Sequence, residues 1–254
     1  MDSDRFDDLL RDSRFIPGVY NYCDRWCERC PFTSRCMNYA LGEEERSEAS
    51  RSKDAENEAF WDKLQETLEA AMEMVEEQAE EIDFDIDEED FEESLREQEE
   101  IHEATESQTF CRVARKYIDI VDNWFHANEG LLDRPDVLAG ATAHEAVNLH
   151  DCLEVIRWYQ PQICAKLHRA AGGAIRAEME DLECLQEDAD GSAKVALLGI
   201  ERSIAAWGTL LRRFPDHEDA IFAVGTLKRL LRQVDAAFPH ARAFRRPGFD
   251  TGEP

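Results

Sequence analysis

An all-α fold follows from three observations on the sequence. Apolar residues recur at three-four spacing along almost every readable segment, no run alternates convincingly in the manner of a strand, and Gly and Pro fall between the periodic stretches. A chain of 254 residues with 43% hydrophobic content can bury a core without disulfides. The expected architecture is an antiparallel helical bundle with a small N-terminal four-cysteine metal module.

Four segments are expected: residues 1–41 as the cysteine module, 42–106 as an acidic helical arm or linker, 107–241 as the bundle and 242–254 as a basic tail. In the arm, Phe60, Trp61, Leu64, Leu68, Ala71, Met72, Val75 and Ala79 form one stripe of an amphipathic helix whose other face is largely Glu. Asp83 to Phe91 alternates acid and apolar residues, but six acids in nine positions favour an acidic loop or frayed turn over a strand. Phe110, Val113, Ala114, Tyr117, Ile118, Val121, Trp124 and Phe125 line the next helix, with Ser107 as its cap. Thr142 and Glu145 open another in capping-box form, with Val147, Leu149, Cys152, Leu153, Ile156, Tyr159, Ile163 and Leu167 as its core face.

Pro161 should kink or divide that helix, because it removes a backbone donor and crowds the preceding turn, and Gly172-Gly173 should close it. A shorter helix is expected over 174–185, a loop over Asp188–Ser192, and a buried helix from Ser192 to Phe214. Gly199, Ser203 and Gly208 cost that helix propensity and read as points of close backbone approach. Pro215 stops it, Asp216 caps the last helix, and Ile221, Val224, Leu227, Leu231, Val234 and Phe238 form that helix's core face before Pro239.

The net charge of −28 is not spread evenly. Residues 42–106 hold 28 of the 57 acids and five of the 29 Lys and Arg, which places −23 there and −5 on the other 189 residues. Such concentration marks one solvated or interacting segment, suited to a protein partner with a basic surface. Direct duplex binding is disfavoured, since neutralising phosphates needs a basic footprint that only the extreme C-terminus approaches. No stretch is long and apolar enough for a membrane span, and the acidic start, Met1-Asp2-Ser3-Asp4-Arg5, lacks the apolar run of a secretory signal. A cytoplasmic location is therefore expected, where thiols stay reduced and clustered cysteines ligate metals more often than they form disulfides.

Half of the eight cysteines fall within fourteen residues, as Cys23, Cys27, Cys30 and Cys36. On a helix the first three would share a side at i, i+4, i+7; Pro31 would end the helix and let the chain return Cys36. Four thiolates suit either a [4Fe–4S] cluster or a structural Zn²⁺. The stretch Cys27-x2-Cys30-Pro31-Phe32-x3-Cys36 resembles the cluster-binding segments of RecB-like iron–sulfur nucleases and of auxiliary cluster domains in radical-SAM maturases. That resemblance covers ten residues and implies an iron–sulfur centre ahead of zinc, without an activity. No Lys has an acid two residues before it, as the nuclease pattern requires.

Cys23-x3-Cys27-x2-Cys30 matches the radical-SAM triad, yet Arg29 stands where that family favours an aromatic and Cys36 would fill the open iron site. The whole chain is also similar to an uncharacterised bacterial all-helical family with the same N-terminal four-cysteine motif. It shares that family's opening run Ile16-Pro17-Gly18-Val19-Tyr20-Asn21-Tyr22-Cys23 and the later runs Gly191-Ser192-Ala193-Lys194 and Arg202-Ser203-Ile204-Ala205-Ala206-Trp207.

Outside the cysteines, His150, Glu154 and Arg157 fall at i, i+4, i+7 on one helix, and Lys194, Glu201 and Arg202 are charges on the most apolar one. Together they could form a polar site that moves protons or binds an anion, the basis of an enzyme reading; structural ion pairing is the plainer alternative. Glu99-x-x-His102 is a lone pair where a dimetal site needs two. Cys111, Cys152, Cys164 and Cys184 lack metal spacing and read as small buried hydrophobes. No catalytic set is legible. The function favoured is a metal-stapled interaction or scaffold protein whose acidic arm engages a basic partner, ahead of an iron–sulfur redox or sensor protein.

Overall fold

The computed structural model describes residues 12–45, 88–130, 143–215 and 217–250, with Trp61, Gln65, Leu68, Glu69 and Met72 between them. Among these residues every regular element is helical. The α-helices with continuous bounds are α1 (Met37–Glu45), α2 (Glu88–Ser107), α3 (Thr109–Ala127), α4 (Ala143–Glu180), α5 (Glu183–Arg213) and α6 (Glu218–Ala237). No helix among the described residues is long and apolar enough to cross a membrane.

The chain divides into two compact units. One comprises Met1–Tyr20, Arg25–Arg96 and Pro247–Pro254. Its described part includes a set of turns, 3₁₀ turns at Cys27–Arg29 and Thr33–Arg35, α1, and α2 as far as Arg96. The Ile16 N–H donates to the Arg35 carbonyl at 3.0 Å, which closes the loop around the cysteines. Val19 is buried there beside Gly248, which takes a left-handed φ of 76°, as Gly18 does at 72°. Phe249 meets Phe32 edge-on at 4.8 Å.

The other unit comprises Asn21–Asp24 and Glu97–Arg246. Its dominant pairing is α4 with α5; α6 packs on α5 and α3, and α3 also packs on α4. The amphipathic face of α3 buries Phe110, Cys111, Ala114, Tyr117, Val121 and Trp124. At the centre the Trp207 indole N–H donates to the Tyr117 hydroxyl at 3.0 Å, and Trp124 meets Trp207 edge-on at 5.1 Å. Both large polar-tipped rings are thus satisfied inside an apolar core. Gly199 has the role its position suggests, since a Cβ there would stand 2.9 Å from the Tyr159 ring. Gly208 does not, because a Cβ there would meet nothing within 4 Å.

Several expected boundaries are displaced. Pro161 lies inside α4, which continues through Gly172-Gly173 to Glu180; the break comes instead at Asp181, in the left-handed region at φ 53°. The loop expected over Asp188–Ser192 is helix, part of α5, with Ala189, Asp190, Gly191, Ser192 and Ala193 buried. Burial along a packed face outweighs the weak propensity of these residues, a cost of about 1 kcal/mol for a helical Gly.

Ser107 does not cap α3: its hydroxyl donates back to the Ala104 carbonyl at 2.7 Å, and Gln108 is the N-cap, without a side-chain bond. His217 is the N-cap of α6, while Asp216 and Thr142 lie outside the described residues. Part of the run expected as a loop, from Glu88 onward, is helix; residues 83–87 lie outside the description.

Candidate functional site

The helix expected to align Cys23, Cys27 and Cys30 does not form. Cys23 sits in a bend, Arg25 takes a left-handed φ of 59°, and only the 3₁₀ turn Cys27–Arg29 follows. That turn is closed by the Cys30 N–H on the Cys27 carbonyl at 3.2 Å. Three residues per turn stack positions i and i+3 on one side, which suits Cys27 and Cys30 to a common ligand. The Phe32 N–H then points at Cys30 Sγ, 3.4 Å away. Hydrogen bonds of this kind to a ligating sulfur tune a metal–sulfur centre. Cys36 follows the second 3₁₀ turn, and its carbonyl accepts the Ala40 N–H at the start of α1.

None of the eight cysteines is in a disulfide, and Cys23, Cys27, Cys30 and Cys36 are all half-buried. The donor chemistry fits a thiolate-bound metal. The assembled geometry is another matter: among the described residues no group of three or more His, Cys, Asp and Glu side chains is placed to hold a metal ion.

Around Cys23 the chain is gripped from both sides by the helical unit. Lys166 donates to the Asn21 carbonyl at 3.0 Å. The Tyr22 hydroxyl donates to Asp188 at 2.9 Å, and Arg169 holds both oxygens of that carboxylate. Burial, followed by the Asp188 bond, pushes the Tyr22 phenol up to about 12, so it remains a donor at neutral pH. Asp24 is held three ways: the Trp158 indole donates to its carbonyl at 2.9 Å, the Tyr159 hydroxyl to Oδ2 at 2.5 Å, and Arg202 to Oδ2 at 2.7 Å. Arg202 also donates to the Tyr159 hydroxyl.

The strap Asn21–Asp24 seats Tyr22 over Gly191, where a Cβ would lie 2.4 Å from the Tyr22 ring and 2.8 Å from Phe244. Lys194 donates to the carbonyls of Phe244 and Arg242, which fixes the end of this unit on α5. Three runs that stand out in the sequence thus contribute here: Tyr22 from the first, Gly191 from the second and Arg202 from the third. Asp24, Tyr159, Lys166, Arg169 and Asp188 complete the grip, and no spacing rule announces them.

The polar constellation is divided by the structure. His150 and Glu154 pair at 3.5 Å, and with Arg157 they line a cleft of about 850 Å³ that also receives Asp122, Phe125 and Gln160. Arg157 stacks on Phe125 at 4.2 Å, and the buried Gln160 donates to Asp122 at 2.6 Å. Arg202 holds the strap at Asp24, Lys194 holds the Arg242 and Phe244 carbonyls, and Glu201 pairs with Arg242 at 2.9 Å. Lys194, Glu201 and Arg202 thus have partners away from the His150–Arg157 stripe. Burial pushes the Cys111 thiol up to about 12 and raises Cys152 and Cys164, in keeping with inert packed thiols. Cys184 is exposed and departs from that expectation.

The chain matches no family model, no curated protein and no solved structure. Its function therefore has to be argued from its own residues.

Proposed function

We propose that this is a metal-stapled helical interaction protein. Cys23, Cys27, Cys30 and Cys36 hold a thiolate-bound centre, [4Fe–4S] ahead of Zn²⁺; an antiparallel bundle is the scaffold; and the acidic arm 42–106 engages a basic surface of a protein partner. The observation that carries the interaction reading is α2. Every residue from Phe91 to Glu100 is exposed, and in that stretch Glu92, Glu93, Glu97, Glu99 and Glu100 stand against Arg96 alone. A solvated, single-sign helix attracts an oppositely charged surface at long range and releases it in salt.

The test is binding of a fluorescent Lys-rich peptide to the full chain and to a chain lacking residues 76–100. The deletion stops there because Ile101 and Thr105 are buried. Tight binding at about 0.05 M salt, lost near 1 M where the screening length is about 3 Å, is expected for the full chain only. Equal binding by the two chains would sink the reading.

A second reading, an iron–sulfur redox or sensor protein, is favoured by the Phe32 N–H directed at Cys30 Sγ, because hydrogen bonds to sulfur set cluster potentials. Anaerobic purification after iron-replete expression should then yield a brown protein absorbing near about 400 nm. A colourless protein with one equivalent of zinc excludes it.

A further inference from the structure

One face of α2 carries Phe91, Leu95, Gln98, His102 and Thr105 at four-three spacing, with Ile101 at its margin. Only the edge of that face is covered at its C-terminal end: Gln98 and His102 stay exposed, while Ile101 and Thr105 are 8% and 5% exposed. Their cover is α4 at Gly172, where an added Cβ would stand 3.5 Å from Thr105 Oγ1 and 3.9 Å from Ile101 Cγ2. The same face continues toward the helix N-terminus as Leu95 and Phe91, which are 49% and 55% exposed. A helix needed only as a solvated spacer has no use for an aromatic and a leucine one turn apart. On a packed helix that pair is where a partner's apolar side chains seat.

We propose that Phe91 and Leu95 anchor an amphipathic helix of a partner protein, with Lys or Arg flanking its apolar stripe. This rests on the acidic-arm reading and specifies its partner. Charge fixes the occupant: Glu92 and Glu99 flank the pair on the helix surface, so the incoming helix must be basic beside its apolar positions.

The experiment compares two synthetic 18-residue peptides of equal positive charge, one with a Leu stripe at three-four spacing and one with those Leu residues replaced by Gln. Each is titrated by fluorescence anisotropy against the full chain and against a chain carrying Phe91→Ala and Leu95→Ala. Ala keeps α2 helical, which circular dichroism verifies. The Leu-striped peptide is expected to bind at least about tenfold tighter than its Gln counterpart, and the Ala pair to remove that advantage.

Equal binding of the two peptides, or an advantage that survives the Ala pair, overturns the anchor; salt-sensitive binding of both would leave the acidic-arm reading standing. Binding of neither peptide at low salt removes the acidic-arm reading itself. A concentration-dependent dimer of the free chain, lost in the Ala pair, overturns the proposal by placing a second copy on the stripe.

Discussion

At Gly191 the absence of one methyl group decides whether the strap can dock. An Ala there would gain about 1 kcal/mol of helix propensity. Its Cβ would also stand 2.4 Å from Tyr22 and 2.8 Å from Phe244, contacts that force both rings to move. Overpacking of this kind costs about 1–3 kcal/mol, so Gly191→Ala is expected to lower the denaturant midpoint. Gly208→Ala is the control: with nothing within 4 Å of the new Cβ, only propensity acts, and stability should rise by up to about 1 kcal/mol. Equal effects at the two positions would refute the close-approach account. The sequence marked Gly199 and Gly208 alike as small residues on a buried helix, and only the packing separates them. Gly191 read as part of a loop, because its partner Tyr22 lies far away along the chain.

Among the elements, periodicity recovered the existence of α3, α5 and α6. For α6, Leu227, Val234 and Phe238 are buried as expected, but Ile221 is 52% exposed and Ala220, Ala223 and Leu230 take the packed side. Periodicity misplaced the limits of α4 and α5, where Gly172-Gly173 and the Asp188–Ser192 run are weak helix formers held in place by neighbours. It also missed how α2 is tied down. Glu106 on α2 pairs with Arg115 on α3 and lies 3.1 Å from His168 Nε2 on α4. The Arg115 bond, with a smaller contribution from His168, holds the Glu106 carboxyl below its usual range. A depressed folded pKa contributes stability that is present above the unfolded carboxylate value and is lost as pH falls through the folded one. Glu106→Gln is therefore expected to lower stability at neutral pH and to flatten the decline between about pH 5 and about pH 3. Chemical denaturation across that range checks it, and an unchanged acid limb would show that the tie contributes nothing.

Over the whole molecule, sequence separation explains what spacing could and could not reveal. The cysteine cluster is legible because its members are neighbours in the chain. The grip on the strap is not, since Asp24 meets Tyr159 and Arg202 across 135 and 178 residues. Contacts of that range leave no periodic trace in a single sequence; they appear only as charged residues on an apolar helix. Because Tyr159 and Arg202 donate to the same Asp24 oxygen, and Arg202 also donates to the Tyr159 hydroxyl, they should act as a unit. Tyr159→Phe and Arg202→Gln are each expected to cost about 1 kcal/mol, reduced from the usual strength of a charge-assisted bond because Arg202 is half-exposed. The double variant should cost less than the sum by about 0.5 kcal/mol or more, since either change removes the bond between them. Hydrogen exchange at Asn21–Asp24 should accelerate in step with the loss of stability. Strict additivity, with exchange unchanged at the strap, would mean that Asp24 is not held as a shared acceptor.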